Sequence, residues 1–369
     1  MDRIAKESTR IMSIDALRGF DMLMIVFADR FFFSLNKGVG SSTSQFLEDQ
    51  FQHPYWFGSH FYDIIMPLFL FVVGAVIPYS LSKKIEGNVS KTIIYKGLFR
   101  RFIILFVLGW IVQGNLLAFD LDKFQVMSNT LQAIAVGYLF SSIAYIYLTK
   151  KWRYIVFAAC LIGYALLLTI PDIPGIGRSV LEPDKNFAIY IEKLVFGKYA
   201  DSSGENYTWL LSGIGFTATV LSGVFAGEII RSKKSGKEIV KYLIVIGLAG
   251  VILGLFFGIW HPIVKKIWTS TFVLFSSGIC FLFLALFYWI IDVKGYTKWS
   301  FLFRVLGMNA IIAYVASHVL NFAGIANSLL FGLEQYVGAY YEVITNIGGF
   351  GILYLLLWYM YKNNTLIKI

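Results

Sequence analysis

The sequence predicts an all-α, polytopic integral membrane protein, a bundle of about ten transmembrane helices. Of its 369 residues, 57% are hydrophobic and only 15% are charged, and the mean hydropathy is +0.68. Apolar runs of about 20 residues, the length that crosses a bilayer core as helix, recur along the whole chain. These runs are continuously apolar rather than alternating, which argues against a transmembrane β-barrel. No soluble domain fits between them, so residues 1–369 are expected to form a single membrane domain.

Each predicted span is one apolar run bounded by charged or turn-forming residues. Two of the connections expected on the outer side, 34–62 and 171–208, are long enough to carry functional groups, and the second begins with a proline- and glycine-rich turn. In chain order the predicted spans are 11–33, 63–81, 102–117, 129–148, 154–170, 209–230, 239–259, 269–291, 302–320 and 340–361.

The distribution of lysine and arginine predicts the orientation of the helices, because loops rich in these residues stay in the cytoplasm. With the N-terminus inside, the inner segments hold 23 of the 32 basic residues. They include Arg3, Lys6 and Arg10 before the first span, and Lys362 and Lys368 after the last. Both termini are therefore expected in the cytoplasm.

The net charge of +10 is explained by this bias together with attraction to anionic lipid. The basic residues are too scattered to indicate nucleic-acid binding. No cleavable signal peptide is expected, because the first apolar run is long and lacks a small-residue cleavage site. Cys160 and Cys280 lie inside apolar runs, where they are expected to act as small hydrophobic residues rather than as a disulfide or metal pair.

With this topology, polar groups from separate spans gather at the outer ends of the helices, and all four histidines are among them. Ionisable groups at membrane depth are costly and therefore indicate function. The gathered residues are Asp29, His53, His60, Asp63, Gln113, Asn115, Asn129, Gln132, His261, Trp268, Thr269, Ser270 and His318.

His53 is the leading catalytic candidate, since histidine exchanges protons near neutral pH and can attack an activated acyl group. The alternative is an interfacial ring bonded to loop backbone. Asp63 either orients this imidazole or caps the following helix, and the sequence alone favours the cap. His60, His261 and His318 are expected to line the site rather than to catalyse. No histidine pair has the spacing of a helical metal motif, so no metal is expected.

Aromatic and basic residues near both faces allow a structural and a functional interpretation. Trp56 and its neighbour Tyr55 are expected to anchor the interface, and only secondarily to stack on a sugar. On the inner side, Arg18 is three residues after Asp15 and can simply pair with it. Arg100 and Arg101 begin the third span, where they either anchor the helix or clamp phosphates of a nucleotide-like ligand.

Two motifs stand out in the sequence. They are Ser13-Ile14-Asp15-Ala16-Leu17-Arg18-Gly19 and His53-x-x-Trp56-x-Gly58-x-x-x-x-Asp63-x-x-x-Pro67-x-Phe69-x-Phe71. They resemble the heparan-α-glucosaminide N-acetyltransferase family of transmembrane acyltransferases and its bacterial relatives. The likeness extends in order along nearly the whole chain, with further matches at Arg100, the Leu131-Gln132 step, Lys266-x-Trp268-Thr269-Ser270, Asp292-Val293-Lys294-Gly295 and Gly307-Met308-Asn309.

The resemblance implies an acyltransferase in the bacterial inner membrane that moves an acetyl group from cytoplasmic acetyl-CoA to the amine of a glucosamine-type amino sugar outside. It implies that His53 is catalytic, with Asp63 as its partner. Acetyl-CoA, the glycan acceptor and lipid are the expected partners, and the aromatic content of 18% is compatible with a homodimer. The resemblance also implies that Gln132 and Asn309 line the path with Asp63, and that Arg18 and Arg100 lie toward the coenzyme. The further candidates for the lining are Asp29, Trp56, Trp268, Ser270 and His318, and Arg101 is a further candidate for coenzyme binding.

The sequence departs from the family pattern near the expected acceptor site. Asp29 stands where an asparagine is common, and the segment from Asp29 to His53 is longer than in the animal enzyme. A non-sugar acceptor therefore stays open. Rival interpretations are a transporter of a small polar solute, which would also gather polar groups inside a helical bundle, and a non-catalytic membrane scaffold. The absence of a strong internal repeat argues against the transporter.

Overall fold

The computed structural model describes residues 11–201 and 206–365 and shows a bundle of long helices. The first helix is continuous: α1 (Met12–Leu23) passes through a π-helical turn (Met24–Ala28) directly into α2 (Asp29–Val39). Such π turns are rare and occur frequently at functional sites. Gly40 ends the helix in the left-handed conformation, with φ of 62°. The helix therefore continues beyond the predicted span into the segment expected to be a loop.

The other long helices coincide with the predicted spans, and shorter helices lie in the segments predicted to connect them. A single antiparallel hairpin of two-residue strands, β1 (Asp172–Ile173) and β2 (Gly177–Arg178), interrupts the helical structure of the described residues. The remaining α-helices are α3 (Ser42–Gln50), α4 (Ile65–Glu86), α5 (Lys91–Val112), α6 (Thr130–Tyr147), α7 (Lys150–Thr169), α8 (Phe187–Phe196), α9 (Gly213–Ile230), α10 (Gly236–Gly258), α11 (Ser270–Tyr288), α12 (Phe301–Met308), α13 (Ala310–Val319), α14 (Phe322–Leu330), α15 (Glu334–Val337) and α16 (Tyr341–Lys362). Shorter helical turns cover Phe61–Ile64, Leu116–Ala118, Gly197–Tyr199, Trp289–Val293, Phe331–Leu333 and Gly338–Tyr340.

One boundary differs from the sequence prediction for a local reason. The predicted third span, 102–117, begins at Lys91 in the structure, because Ser90 accepts a hydrogen bond from the backbone N–H of Ile93 and so caps the helix. The basic residues expected in a cytoplasmic loop are therefore helical.

Pro67 lies in the first turn of α4, where a proline is tolerated.

Seven helical stretches among the described residues are long and apolar enough to cross a membrane, and an eighth is added if α12 and α13 form one span bent by 76°. Every 18-residue window of the continuous helix α1–α2 and of helix α5 contains at least three charged residues, so these two helices are not counted among the seven. The count of ten spans and the side of each terminus stay predictions. Arg3, Lys6, Arg10 and Lys368, which entered the orientation argument, lie outside the described residues.

Helices α4 and α9 form the centre of the bundle. In their apolar stretches 78% and 83% of residues are buried by protein, against 17% for α7 and 22% for α10, which lie at the periphery. The central pair packs backbone to backbone, because glycines face each other across the contact. A Cβ on Gly223 would lie 2.0 Å from the carbonyl oxygen of Phe71, and one on Gly74 would lie 2.0 Å from that of Val220.

We expect Gly223→Ala to destabilise the protein, because the added methyl group meets backbone of α4 that cannot move aside like a flexible side chain. Overpacking of this kind costs about 1–3 kcal/mol. The measurement is the thermal unfolding midpoint in detergent. Gly163→Ala is the matched control, since nothing lies within 4 Å of the position its Cβ would take on peripheral helix α7. Equal midpoints for the two variants would contradict the close α4–α9 packing.

Candidate active site

The loop before α4 brings His53 onto Asp63. His53 Nδ1 lies 2.6 Å from Asp63 Oδ1, and Asp63 Oδ2 accepts a hydrogen bond of 2.8 Å from the backbone N–H of His60. The Asp63 side chain is completely buried, whereas that of His53 is 28% exposed. The two functions considered for Asp63 thus occur together, because one carboxylate oxygen caps the helical turn and the other holds the imidazole.

The contact with Asp63 also indicates the tautomer of His53. An ionised carboxylate can only accept hydrogen bonds, so Nδ1 carries the proton and donates it to Asp63. The basic nitrogen of the ring is then Nε2, as in other sites where a carboxylate fixes the orientation of an imidazole.

Lys265 completes a three-residue cluster that the sequence analysis missed. Its Nζ lies 3.3 Å from Asp63 Oδ1, and 3.3 and 3.2 Å from His53 Nδ1 and Nε2. Nearly equal distances to both ring nitrogens place the ammonium group over the face of the ring rather than along one lone pair. Lys265 is 8% exposed, so its charge is held away from bulk water beside the buried carboxylate. We call these three residues the His53–Asp63–Lys265 cluster.

Backbone contacts between two loops hold Lys265 in place. The backbone N–H of Gly58, in the loop that carries His53, donates to the carbonyl of Ile263, and Gly58 pairs with Val264 as an isolated parallel bridge. The side-chain oxygen of Thr269 accepts from the backbone N–H of Val264 and closes the turn. The sequence did contain a signal for Lys265. Basic residues are few in the segments predicted to lie outside, so a lysine there is unusual and could have been examined as a functional residue.

The cluster lies at the wall of a cavity of about 660 Å³ that is lined from many parts of the chain. The structure here brings together polar residues that the sequence predicted at the outer helix ends. Three of them, Asp29, His53 and His318, were candidate site residues. The polar and aromatic lining consists of Asp29, Arg30, His53, Tyr62, Gln113, Asn115, Gln125, Ser128, Asn129, Thr130, Asp201, Tyr207, Trp209, Lys265, Tyr314, Ser317 and His318.

Two carboxylates, Asp29 and Asp201, face this cavity from different elements. Asp29 Oδ1 accepts from the backbone N–H of Arg30 at the start of α2. Asp201 Oδ2 accepts from the indole N–H of Trp209. His318 Nδ1 lies 2.8 Å from the carbonyl oxygen of Tyr314, to which it can donate. Arg30 and Lys265 line the same cavity, so its wall carries both negative and positive groups.

Gln132 and Asn309, which were expected to line the site, are buried and are not among the residues that line this cavity. The Gln132 amide donates to the Val126 carbonyl, and its oxygen accepts from the backbone N–H of Ser128. It therefore orders the turn that presents Asn129 to the cavity. Asn309 lies at the break between α12 and α13 and donates to the Thr365 carbonyl.

Trp56, Trp268 and Ser270 are also buried, and their polar atoms bond to protein. The Trp56 indole donates to the Leu181 carbonyl at 2.7 Å, and Ser270 donates to the Leu161 carbonyl at 2.6 Å. Trp268 has a left-handed backbone with φ of 49°, which ends the Lys265 turn just before α11. These residues support the loops of the site, and Trp56 also borders a smaller cavity beside His53.

The three arginines expected at the coenzyme end lie away from the cavity. Arg18 pairs with Asp15 at 3.7 Å, as the spacing predicted, and the Arg101 guanidinium lies 4.2 Å from the centre of the Tyr138 ring. Arg100 is exposed on α5. At about 1.5 Å of rise per residue, Arg18 is roughly 16 Å along the helix from Asp29, and Arg100 roughly 20 Å from Gln113.

Comparison with known proteins gives the family. A family model described as "Domain of unknown function (DUF5009)" matches residues 10–224, which include the loop with His53 and Asp63. The chain belongs to the DUF5009 family.

This DUF5009 protein is also a distant homologue of heparan-alpha-glucosaminide N-acetyltransferase. It is 24% identical to the human (Homo sapiens) protein over 378 residues, covering 86% of this chain and 54% of the relative. For the mouse (Mus musculus) protein the identity is 23% over 370 residues, covering 85% and 54%. The chain thus spans about half the length of these curated relatives. The resemblance read from the motifs is confirmed as distant homology over most of the chain.

The DUF5009 chain also buries a carboxylate on α8, near the cavity wall. Glu192 is 3% exposed, and its Oε2 accepts from the backbone N–H groups of Trp209 and Leu210. Burial raises the pKa of Glu192 to about 7, although these two hydrogen bonds oppose the rise. Its Oε1 has no hydrogen-bond partner among the described residues. Glu192 thus fixes the backbone that presents Trp209 to the cavity.

We expect the stability of the protein to fall as pH rises from about 4.5 to about 7 because of Glu192. A carboxyl with a raised folded-state pKa carries no penalty below its unfolded pKa of 4.5, and pays the full burial penalty once it is ionised above about 7. Glu192→Gln, which stays neutral, should show a smaller loss over this range. The measurement is the thermal unfolding midpoint against pH for both proteins; parallel curves would contradict this role of Glu192.

Proposed function

We propose that this DUF5009 protein is a membrane-bound acyltransferase that moves an acetyl group from acetyl-CoA, bound from the cytoplasmic side, to the amine of a glucosamine-type sugar on the outer face. The observation that carries the proposal is the His53–Asp63–Lys265 cluster at the wall of a polar cavity of about 660 Å³. The distant homology to an N-acetyltransferase over 86% of the chain supports the same reaction class.

His53 Nε2 is the reacting atom in this proposal, because Nδ1 is bound to Asp63. In the direct route, Nε2 takes a proton from the acceptor amine while the amine nitrogen attacks the thioester carbon. The new C–N bond forms, the C–S bond breaks, and the coenzyme A thiolate takes up a proton. In the covalent route, Nε2 attacks first and passes the acetyl group to the amine. The direct route requires Nε2 within hydrogen-bond reach of the acceptor amine, and the covalent route requires it at the thioester carbon, where the C–S bond breaks and the thiolate leaves.

The charges next to His53 suit both routes. Asp63 stabilises the positive charge that His53 gains on accepting a proton or an acetyl group, as the aspartate does in serine hydrolases. Lys265 places an ammonium group 3.2 Å from Nε2, within reach of the negative charge that develops on the thioester oxygen. Removing one such donor costs about 10²–10³ in rate in well-studied enzymes. In the transition state, the Asp63 carboxylate therefore stabilises the positive imidazole, and the Lys265 ammonium group stabilises the negative thioester oxygen.

The cavity and the arginines separate the two substrates. An acceptor amine that enters as an ammonium ion must lose a proton before it can attack, and the Asp29 and Asp201 carboxylates on the cavity wall can accept hydrogen bonds from it. Arg18, Arg100 and Arg101 would bind phosphates of the coenzyme, whose thioester lies at the other end of a long extended arm. Their distance of roughly 16–20 Å along the helices from the cavity residues fits a donor that reaches through the bundle.

The peripheral helices suit a protein in a lipid bilayer, and the bacterial inner membrane is the proposed location. Only 17% of the apolar stretch of α7 and 22% of that of α10 are buried by protein, which leaves broad apolar faces for lipid or for a second copy in a homodimer.

We expect His53→Ala to lose acetyl transfer to glucosamine by at least about 10³-fold while keeping its folding and its affinity for coenzyme A, because only the reacting group is removed. Transfer is measured with radiolabelled acetyl-CoA and the purified protein. His261→Gln is the control: burial lowers the pKa of His261 to about 4, so the substitution exchanges one neutral group for another. Near-normal turnover by His53→Ala would refute the catalytic role of His53, and no transfer by the wild-type protein would refute the proposed function.

We expect Lys265→Met to lower kcat by about 10²-fold through loss of the oxyanion donor. It should also move the acidic limb of the pH–rate profile to higher pH, because a neighbouring cation disfavours a second positive charge on His53. Lys265→Arg should restore part of the rate and the original profile. A lower rate with an unmoved profile would show that Lys265 only supports the loop.

A further inference from the structure

Lys265 places a primary amine of the protein itself beside the atom that the proposed function assigns to the reaction. Its Nζ lies 3.2 Å from His53 Nε2, and both side chains line the cavity of about 660 Å³. The proposed acceptor is also a primary amine, so the protein and its substrate bring the same functional group to the thioester. Two amines held at the same reacting centre compete for the same acetyl group whenever their nitrogen lone pairs are available.

The charge on Lys265 decides whether it can compete. An ammonium nitrogen has no lone pair and cannot attack a carbonyl carbon, whereas a neutral amine can. Lys265 Nζ lies 3.3 Å from Asp63 Oδ1, and the Asp63 side chain is completely buried. An opposite charge at such a distance, away from bulk water, favours the charged forms of both groups. The Asp63 carboxylate therefore holds Lys265 mostly in its unreactive form.

We propose that Lys265 is a self-acetylation site, which the protein modifies slowly when acetyl-CoA is bound and no acceptor occupies the cavity, and that the Asp63 carboxylate limits the rate of this modification. The inference rests on the proposed function and adds a regulatory step to it. Acetylation turns the ammonium group into a neutral amide, so the ion pair with Asp63 and the donor to the thioester oxygen are lost together. The protein thus switches itself off when it has a donor but no acceptor.

The chemistry of this step uses groups that are already in place. His53 Nε2 takes one proton from the Lys265 ammonium group, which leaves Nζ with a lone pair. Nζ attacks the thioester carbon, the new C–N bond forms and the C–S bond breaks. The nitrogen then gives its second proton to the coenzyme A thiolate. The products are an amide on Lys265, a thiol and a protonated His53, so atoms and charge balance.

The first experiment incubates the full-length protein in detergent with acetyl-CoA and without an acceptor, and follows acetylation by peptide mass spectrometry. Lys265 should become acetylated ahead of Lys266. Lys266 is the matched control, because both lysines are 8% exposed but Lys266 is not among the residues that line the cavity of about 660 Å³. Transfer to glucosamine, measured on samples taken during the incubation, should fall in parallel with the modification. Lys265→Arg, whatever its starting rate, should keep that rate throughout.

The second experiment tests the restraint by Asp63 with N-acetoxysuccinimide, which acetylates neutral amines without the help of the protein. In Asp63→Asn, which keeps the shape of the side chain but not its charge, Lys265 should be modified at least about tenfold faster than in the wild type, and Lys266 at an unchanged rate. Asp63→Glu, which keeps the charge, should stay close to the wild type. Equal rates at Lys265 in Asp63→Asn and the wild type would overturn the restraint. If Asp63→Asn does not fold, the acetyl-CoA incubation of the wild type decides.

The two activities fail separately. Acetylation of Lys265 by acetyl-CoA in a protein that does not acetylate glucosamine would support the self-acetylation site and reject the proposed acceptor. Transfer to glucosamine with Lys265 unmodified, and with constant activity during the incubation, would reject the self-acetylation site alone. The absence of both reactions would reject both proposals.

Discussion

The buried carboxylate of Asp63 is the constraint on which the site depends. A charged group removed from water is tolerated only when paired and hydrogen-bonded, and Asp63 is completely buried. Its partners come from three segments: the His53 ring, the backbone N–H of His60 and the Lys265 ammonium group. If any one of these partners moved away, the buried carboxylate would lose a hydrogen bond or its ion pair. The burial of one charge therefore fixes the relative positions of the loop, the start of α4 and the turn before α11.

The start of α4 can hold Asp63 in place because the rest of the helix is fixed by its packing against α9. Glycines on α4 and α9 bring the two backbones into contact, and a helix held by backbone packing has little freedom to slide. The same packing also fixes another part of the cavity wall. The segment with Trp209 and Leu210, whose backbone N–H groups donate to Glu192, leads directly into α9. Two walls of the cavity are thus attached to the same central helix pair.

The sequence was sufficient for properties that depend on composition and local pattern. Continuous apolar runs gave the helices within a few residues at most boundaries, and the histidine motif pointed to the pair that the structure brings to 2.6 Å. It was insufficient where a contact joins distant segments. Lys265 is 202 positions from Asp63, so no local pattern reveals that the two side chains meet. Gln132 and Asn309 were expected to face the cavity, but side-chain direction at a turn or a helix break depends on partners that only the fold supplies.

The first helix shows that the length of an apolar run does not by itself identify every helix of this bundle. It carries Arg18, Asp21 and Asp29 along one continuous helix inside the bundle, and Asp21 is completely buried, with neither carboxylate oxygen hydrogen-bonded within the described residues. Such groups lower the mean hydropathy of the helix. Ionisable groups inside a membrane-protein bundle are rare and usually have a function. The helix runs from the arginine predicted to face the coenzyme to the carboxylate on the cavity wall, with a π-helical turn between them. If the proposed function is correct, this charged helix connects the coenzyme end with the acceptor cavity, and its polarity follows from that position.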